Sequence, residues 1–363
     1  MIYFLLGFGL SLVVLFNFFL NKKESNIPFY IFAFLTTAML AFRSQYVGGD
    51  TILYVQEFKY GEYIDREWGW VLFNYLASLF GKSPFVIIFW SSIISILPFI
   101  LLVNKYSNNK CLSLLFLFLF ADTAIVDLET NLRQNVGTGL FLLSIYVYSE
   151  FKNKSWKYLI VPIALALWGT LCHSSLYFVI PLSLCFSFVK LNKKYVLITI
   201  YVFYILGSLS SEYASNLMGY FFVFAGDYDA LSKLTVYETG DNLGIFSDAG
   251  FSIGSILVMT WISITIIACN KEEMNNFFIK MLVLYAIVYC VFRSSDLMFR
   301  LVFTLQLCSF IYVPKGIKMD NRLTIITSFL VLIWIRSLFL LCTQPERQNA
   351  DAHMFPYTTI IEK

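Results

Sequence analysis

Charge is scarce in this 363-residue chain: Asp, Glu, Lys and Arg together make up 13% of it, about half of what a soluble globular domain carries. A water-facing surface cannot be built from so few charges, and no polar stretch is long enough to form a separate soluble domain. Histidine is nearly absent too, at two residues. The seven cysteines (Cys111, Cys172, Cys185, Cys269, Cys290, Cys308 and Cys342) stand singly in or beside apolar segments, with no CxxC pair and no histidine at ligand spacing. No metal centre or other cofactor is therefore expected, and the thiols read as unpaired packing residues. The pair Gly48–Gly49 lacks the lysine and the spacing of a phosphate loop. Low-complexity sequence is absent, as is any internal repeat of the kind that marks inverted-repeat transporters. No nucleic-acid partner is expected.

Apolar length is what the chain has instead. Hydrophobic residues reach 59%, the mean hydropathy is +0.73, and the runs between charges suffice to cross a hydrocarbon core of roughly 30 Å. In lipid each backbone amide must be satisfied within its own segment, so long non-alternating runs mean helices rather than a barrel. The expectation is an all-α polytopic membrane protein of about 12 transmembrane helices (11–13), forming one domain over residues 1–363. The spans read as 2–20, 27–42, 84–103, 111–126, 136–149, 158–171, 175–189, 195–211, 251–269, 277–292, 299–313 and 323–342. The first has no basic residue before it and is followed by Lys22 and Lys23. It therefore reads as a retained anchor rather than a cleaved signal.

The connections alternate in charge. With Lys22 and Lys23 inside, the cytoplasmic connections collect 15 basic and 5 acidic residues and the outer ones 11 and 18. That bias places both termini outside. The outer segments 43–83, 122–135, 212–250 and the tail 343–363 are long, whereas every cytoplasmic connection is short. The outer face is therefore the expected working surface. Glu67 to Gly81 is apolar enough to lie in the interface as an amphipathic or re-entrant helix, with Trp68 and Trp70 at headgroup level.

Several outer residues could carry chemistry. Gly48 and Gly49 free the backbone ahead of Asp50, which reads either as a helix N-cap or as an acid–base group, with Thr51 and Tyr54 on one face of the helix that follows. Glu67 is either a desolvated acid–base group or a solvated loop charge. Asn131, Arg133, Gln134 and Asn135 cluster donors at a helix N-terminus, which suits an anion such as pyrophosphate, although Arg133 could simply snorkel. His173 and Ser174 fall at the outer rim between two apolar segments, where a histidine is either a satisfied hydrogen-bonding group or a catalyst. Arg293, Asp296 and Arg300 share a short outer turn, as a ligand-facing pair of cations or as a self-compensating cluster. Arg336 lies within the last span and can reach its outer end.

The order GGDT-x-x-Y from Gly48 to Tyr54, then Glu67, NLRQN, CHSS, an arginine-rich turn and the terminal Pro356–Tyr357 resembles the EpsG-like branch of Wzy-type polysaccharide polymerases. The resemblance runs over nearly the whole chain. It implies a glycosyltransferase of the bacterial cytoplasmic (inner) membrane that joins undecaprenyl-pyrophosphate-linked repeat units at the outer face, for O-antigen, capsule or exopolysaccharide. Membrane lipid, a flippase and a chain-length regulator are the implied partners. On that reading Asp50, Glu67 or His173 activates the acceptor hydroxyl, Arg133, Gln134, Arg300 and Arg293 hold the leaving pyrophosphate, and Tyr54 contributes to substrate binding. The segment 212–250 would close over the acceptor sugars. Two other readings compete, a membrane O-acyltransferase acting on surface glycans and a flippase for lipid-linked oligosaccharides. The first needs polar groups on the cytoplasmic side and the second ionisable residues deep within several spans, and the sequence offers little of either.

Overall fold

The structure is a computed structural model that describes residues 2–20, 25–63, 66–120, 124–151, 156–209, 253–292 and 296–343. These fold as helices: α1 Ile2–Phe19, α2 Asn26–Ala41, α3 Thr51–Tyr60, α4 Trp68–Ser78, α5 Pro84–Tyr106, α6 Lys110–Leu119, α7 Ala124–Thr130, α8 Leu132–Phe151, α9 Ile160–Thr170, α10 Leu176–Ser187, α11 Lys193–Leu209, α12 Ile253–Ala268, α13 Phe277–Phe292, α14 Asp296–Phe310, α15 Gly316–Met319 and α16 Asn321–Thr343. No strand forms among the described residues. Among them, α1 and α5 are long and apolar enough to cross a membrane, and α6 with α7 would make a third such span. Shorter apolar helices include α2, α10 and α13. Large apolar side chains such as Phe16, Phe34, Ile160 and Phe329 lie on accessible faces, the arrangement expected where the surrounding solvent is hydrocarbon.

Local sequence explains where helices start. Ser83 accepts from the Phe85 amide at 3.4 Å and precedes Pro84 at the first helical position, and the Asn109 side chain accepts from the Leu112 amide at 3.0 Å; both are ordinary N-terminal caps. The chain divides into two compact units. In the first, Met1–Cys185 with Phe310–Lys363, α8 lies between α5 and α9. A Cβ on Gly139 would sit 2.0 Å from the Ile94 carbonyl oxygen, and one on Gly137 2.7 Å from that of Gly169. Close helix contacts of this kind replace the hydrophobic drive that is missing in lipid. Helix α1 packs on α6 and α16, and α2 packs on α5. In the second unit, Phe186–Ser309, α11 packs on α13, and Lys280 is buried with its ammonium donating to the Ser187 carbonyl.

The structure departs from the sequence reading in three places. Asp296 and Arg300, expected in a short turn, belong to helix α14. The fourth expected span, 111–126, is not continuous: α6 ends at Leu119, and α7 runs on an axis bent by 72° from it. Trp70, expected at headgroup level, is fully buried, while Trp68 is 82% exposed. Two residues apart on α4, the indoles point to opposite sides, and Trp70 packs edge-on against Tyr54 at 5.4 Å and stacks on Phe73 at 5.6 Å. Cys111, Cys172, Cys269, Cys290 and Cys308 are buried and Cys185 is exposed, none of these six in a disulfide. Arg336 sits on an exposed face of α16. The segment 212–250 and the tail lie outside the described residues.

Candidate functional site

Tyr54 is the centre of the most charged assembly among the described residues of the first unit. It lies one turn into α3, on the same buried face as Thr51, as their spacing requires. The guanidinium carbon of Arg133, in the first turn of α8, stands 5.6 Å from the Tyr54 ring centroid, and its Nε donates to the Tyr54 hydroxyl at 3.4 Å. Arg133 Nη1 donates to Oε2 of Glu67, the residue that leads into α4. The other Glu67 oxygen accepts from the Ser174 amide at 3.3 Å. Four separated stretches therefore meet at one ion pair. The Arg133 and Glu67 side chains are 16% and 21% exposed, so the pair is largely desolvated yet reachable. Burial works against the Arg133 charge, and the Tyr54 oxygen and the Glu67 carboxylate outweigh it, holding the guanidinium above its ordinary pKa.

The α4 backbone is clamped in place around this pair. The Gly69 amide donates to the Leu171 carbonyl at 2.8 Å and Trp168 Nε1 donates to the Gly69 carbonyl at 3.0 Å. A Cβ on Gly69 would lie 2.5 Å from the Leu171 carbonyl carbon, so only glycine lets α4 approach the end of α9 this closely. That docking brings Glu67 to Ser174. His173, just ahead, has Nδ1 2.7 Å from the Ser175 hydroxyl and accepts from the Ser175 amide at 3.2 Å. An Nδ1 that accepts from a backbone amide leaves the neutral ring's proton on Nε2. Burial, and then the Glu67 charge, push the neighbouring Cys172 thiol up to about 12, which keeps it protonated and unreactive.

A second ion pair flanks the same ring. Arg66 donates through Nε to Oε1 of Glu57 at 2.9 Å, pairs with that oxygen through Nη2 as well, and has its guanidinium carbon 6.0 Å from the Tyr54 centroid. Burial, and then the Glu57 charge, hold the nearby Tyr63 phenol above its ordinary value. Every residue of this assembly falls within residues 26–359, which match one protein family. The chain belongs to the EpsG family. That family is of polysaccharide-polymerase type, and this EpsG-family chain is a helical membrane protein. No curated protein and no solved structure matches it.

Of the other residues singled out in the EpsG-family sequence, Asp50 and Gln134 belong to the first unit. Asp50 is half-buried at the start of α3, one turn before Tyr54, and its carboxylate makes no capping bond. Gln134 is buried, a 100° helical step away from Arg133. Arg293 lies outside the described residues, as does the Arg300 side chain; the Arg300 backbone belongs to α14.

What sequence reasoning missed is the support under the site. The Glu129 carbonyl, in α7, accepts from the Thr51 hydroxyl at 2.6 Å and from Arg43 Nη2 at 3.1 Å, while Tyr3 donates to both Glu129 carboxylate oxygens at 2.8 and 3.0 Å. Arg43 Nη1 also reaches the Leu40 carbonyl at 2.6 Å and Ser92 at 2.9 Å. Tyr3, Arg43, Thr51 and Glu129 are all buried. Gly48, at φ +93°, is pressed so close to this carbonyl that a Cβ would be 2.3 Å from it. The usable signal was a charged residue at each edge of an apolar segment, since such a residue must find an internal partner.

Proposed function

We propose that this protein is a polysaccharide repeat-unit polymerase. It transfers a glycan chain from undecaprenyl pyrophosphate to a hydroxyl of a second lipid-linked repeat unit at the outer face of the bacterial cytoplasmic membrane. On this reading the chain crosses the membrane about twelve times with both termini outside, an orientation supported by the alternating charge of its connections. The observation that carries the reading is the Tyr54–Arg133–Glu67–Ser174 assembly, in a chain of this family. It supplies an anion-binding group and a proton acceptor side by side.

In the reaction the bond from the anomeric carbon to the phosphate oxygen breaks. A bond from that carbon to the acceptor oxygen forms, and the acceptor proton must go to a base. Glu67 is placed to take it, since each oxygen uses one lone pair on a protein donor and keeps another. Arg133 uses Nη1 and Nε within the assembly, which leaves Nη2 for the charge that grows on the departing pyrophosphate. His173, with its proton on Nε2, serves as a further donor to that anion rather than as the base. Asp50, one turn along α3, orients the acceptor. Gln134 supports the α8 start from within the core. A flippase would supply the substrate and a chain-length regulator would set the product size.

The test is a strain deleted for the gene, with its surface polysaccharide resolved by size. The reading expects single repeat units after deletion, a ladder restored by the wild type, and none restored by Arg133→Ala at equal protein level. A ladder that persists in the deletion strain but lacks an acyl group would overturn it in favour of an acyltransferase. Loss of even the single units would overturn it in favour of export.

A further inference from the structure

We infer that Arg66 is a second anion-binding residue, and that with Arg133 it forms a two-guanidinium seat for a diphosphate beside Tyr54. The identity of the ligand rests on the polymerase reading. The geometry does not. Both guanidinium carbons stand within 6.0 Å of the one Tyr54 ring centroid. Tyr54 is itself held by the buried Trp70, so the two cations are fixed against one rigid body.

Each arginine is also preorganised in the same way. Arg66 spends Nε and Nη2 on Glu57, and Arg133 spends Nη1 and Nε on Glu67 and Tyr54. One terminal nitrogen on each, Nη1 of Arg66 and Nη2 of Arg133, stays outside these bonds. Their side chains are 26% and 16% exposed, so an anion can reach both without either ion pair breaking first. Two such cations suit two linked phosphates, because the remaining terminal nitrogen of each guanidinium can turn its N–H groups to one phosphate. A lone phosphate would need only one of them.

The two carboxylates carry the regulation of this seat. Without ligand, two cations and two anions cancel; a diphosphate therefore enters against Glu57 and Glu67, and removing one of these charges favours it. Glu57 holds the weaker claim on the site. Its second oxygen, Oε2, is buried without a hydrogen-bond partner among the described residues. An unsatisfied buried acceptor marks a pair that lacks its full set of donors.

The experiment measures binding to the purified full-length protein in lipid nanodiscs, with undecaprenyl diphosphate, undecaprenyl monophosphate and inorganic pyrophosphate as probes. Arg66→Ala should weaken undecaprenyl diphosphate at least tenfold and leave the monophosphate within twofold, and Arg66→Lys should recover part of the loss. Glu57→Gln should tighten the diphosphate several-fold, which a merely structural pair would not do. If inorganic pyrophosphate shows the same Arg66 dependence, the diphosphate alone is the ligand. If only the lipid form does, the seat reads diphosphate and lipid together. Equal weakening of mono- and diphosphate by Arg66→Ala, no weakening at all, or a loss of affinity in Glu57→Gln would overturn the inference. Failure of the polymerase reading shows separately, in the size ladder of the deletion strain, whatever these binding data say.

Discussion

Two polar assemblies hang on the same pair of elements, α3 and the α7–α8 junction, and they are built on opposite plans. Around Tyr54, side chains bond to side chains: Arg133 to Glu67 and Tyr54, and Arg66 to Glu57, with the four charged side chains partly accessible. Around Glu129, side chains bond to backbone as well: Arg43 and Thr51 both donate to its carbonyl, with Gly48 pressed against it, all buried. One helical turn separates Thr51 from Tyr54 on α3, and four residues across the α7–α8 junction separate Glu129 from Arg133. The buried cluster thus fixes the register in which the accessible one is assembled. Chemistry and stability divide between the two clusters. Charges paired through their own side chains can exchange partners with a ligand, whereas charges spent on the backbone cannot do so without unfolding it.

The comparison breaks most visibly at Gly48. A Gly48→Val substitution puts a branched side chain at φ +93° and into the Glu129 carbonyl, and should remove folded protein from the membrane altogether. Quantitation of membrane-inserted protein checks this, and normal levels would show that the turn can relax. Glu67→Gln should leave protein level and thermal stability nearly unchanged while slowing polymer formation about 10²–10⁴-fold, as loss of a general base does. Turnover of purified enzyme on lipid-linked repeat units measures it.

The smallest effect belongs to Tyr54→Phe. It deletes one long hydrogen bond of 3.4 Å to Arg133 but keeps the ring under both guanidiniums, so turnover should drop only a few-fold, about 1 kcal/mol.

Much of this arrangement was legible one element at a time. The apolar run from Pro84 became α5, the stretch after Glu67 became α4, and Thr51 and Tyr54 share the face that their spacing implied. Glu67 and Arg133 both stood out as chemistry-bearing residues. Their pairing did not, because 66 residues separate them and helical periodicity reports which face a residue occupies, not what that face meets. Trp70 shows the same limit: an interfacial tryptophan and a core tryptophan look alike in sequence, and only the docking of α4 against Tyr54 and α9 decides. Arg66 was passed over because a lone arginine in a polar loop carries no signal until a ring and a carboxylate are found beside it. The break between α6 and α7 was hidden as well, since Ala124 to Val126 are apolar enough to continue a span.

The division of labour is tested most directly by comparing Arg133→Ala and Arg43→Ala side by side as purified proteins, recording the thermal unfolding midpoint and the polymerisation rate for each. Arg133→Ala should unfold within a few degrees of the wild type yet make no polymer. Arg43→Ala, which leaves the Glu129 cluster without its cation, should lose about 3–5 kcal/mol of stability and retain turnover in whatever fraction stays folded. If Arg133→Ala unfolds as readily as Arg43→Ala, or still polymerises, the assembly around Tyr54 is part of the scaffold and not the site.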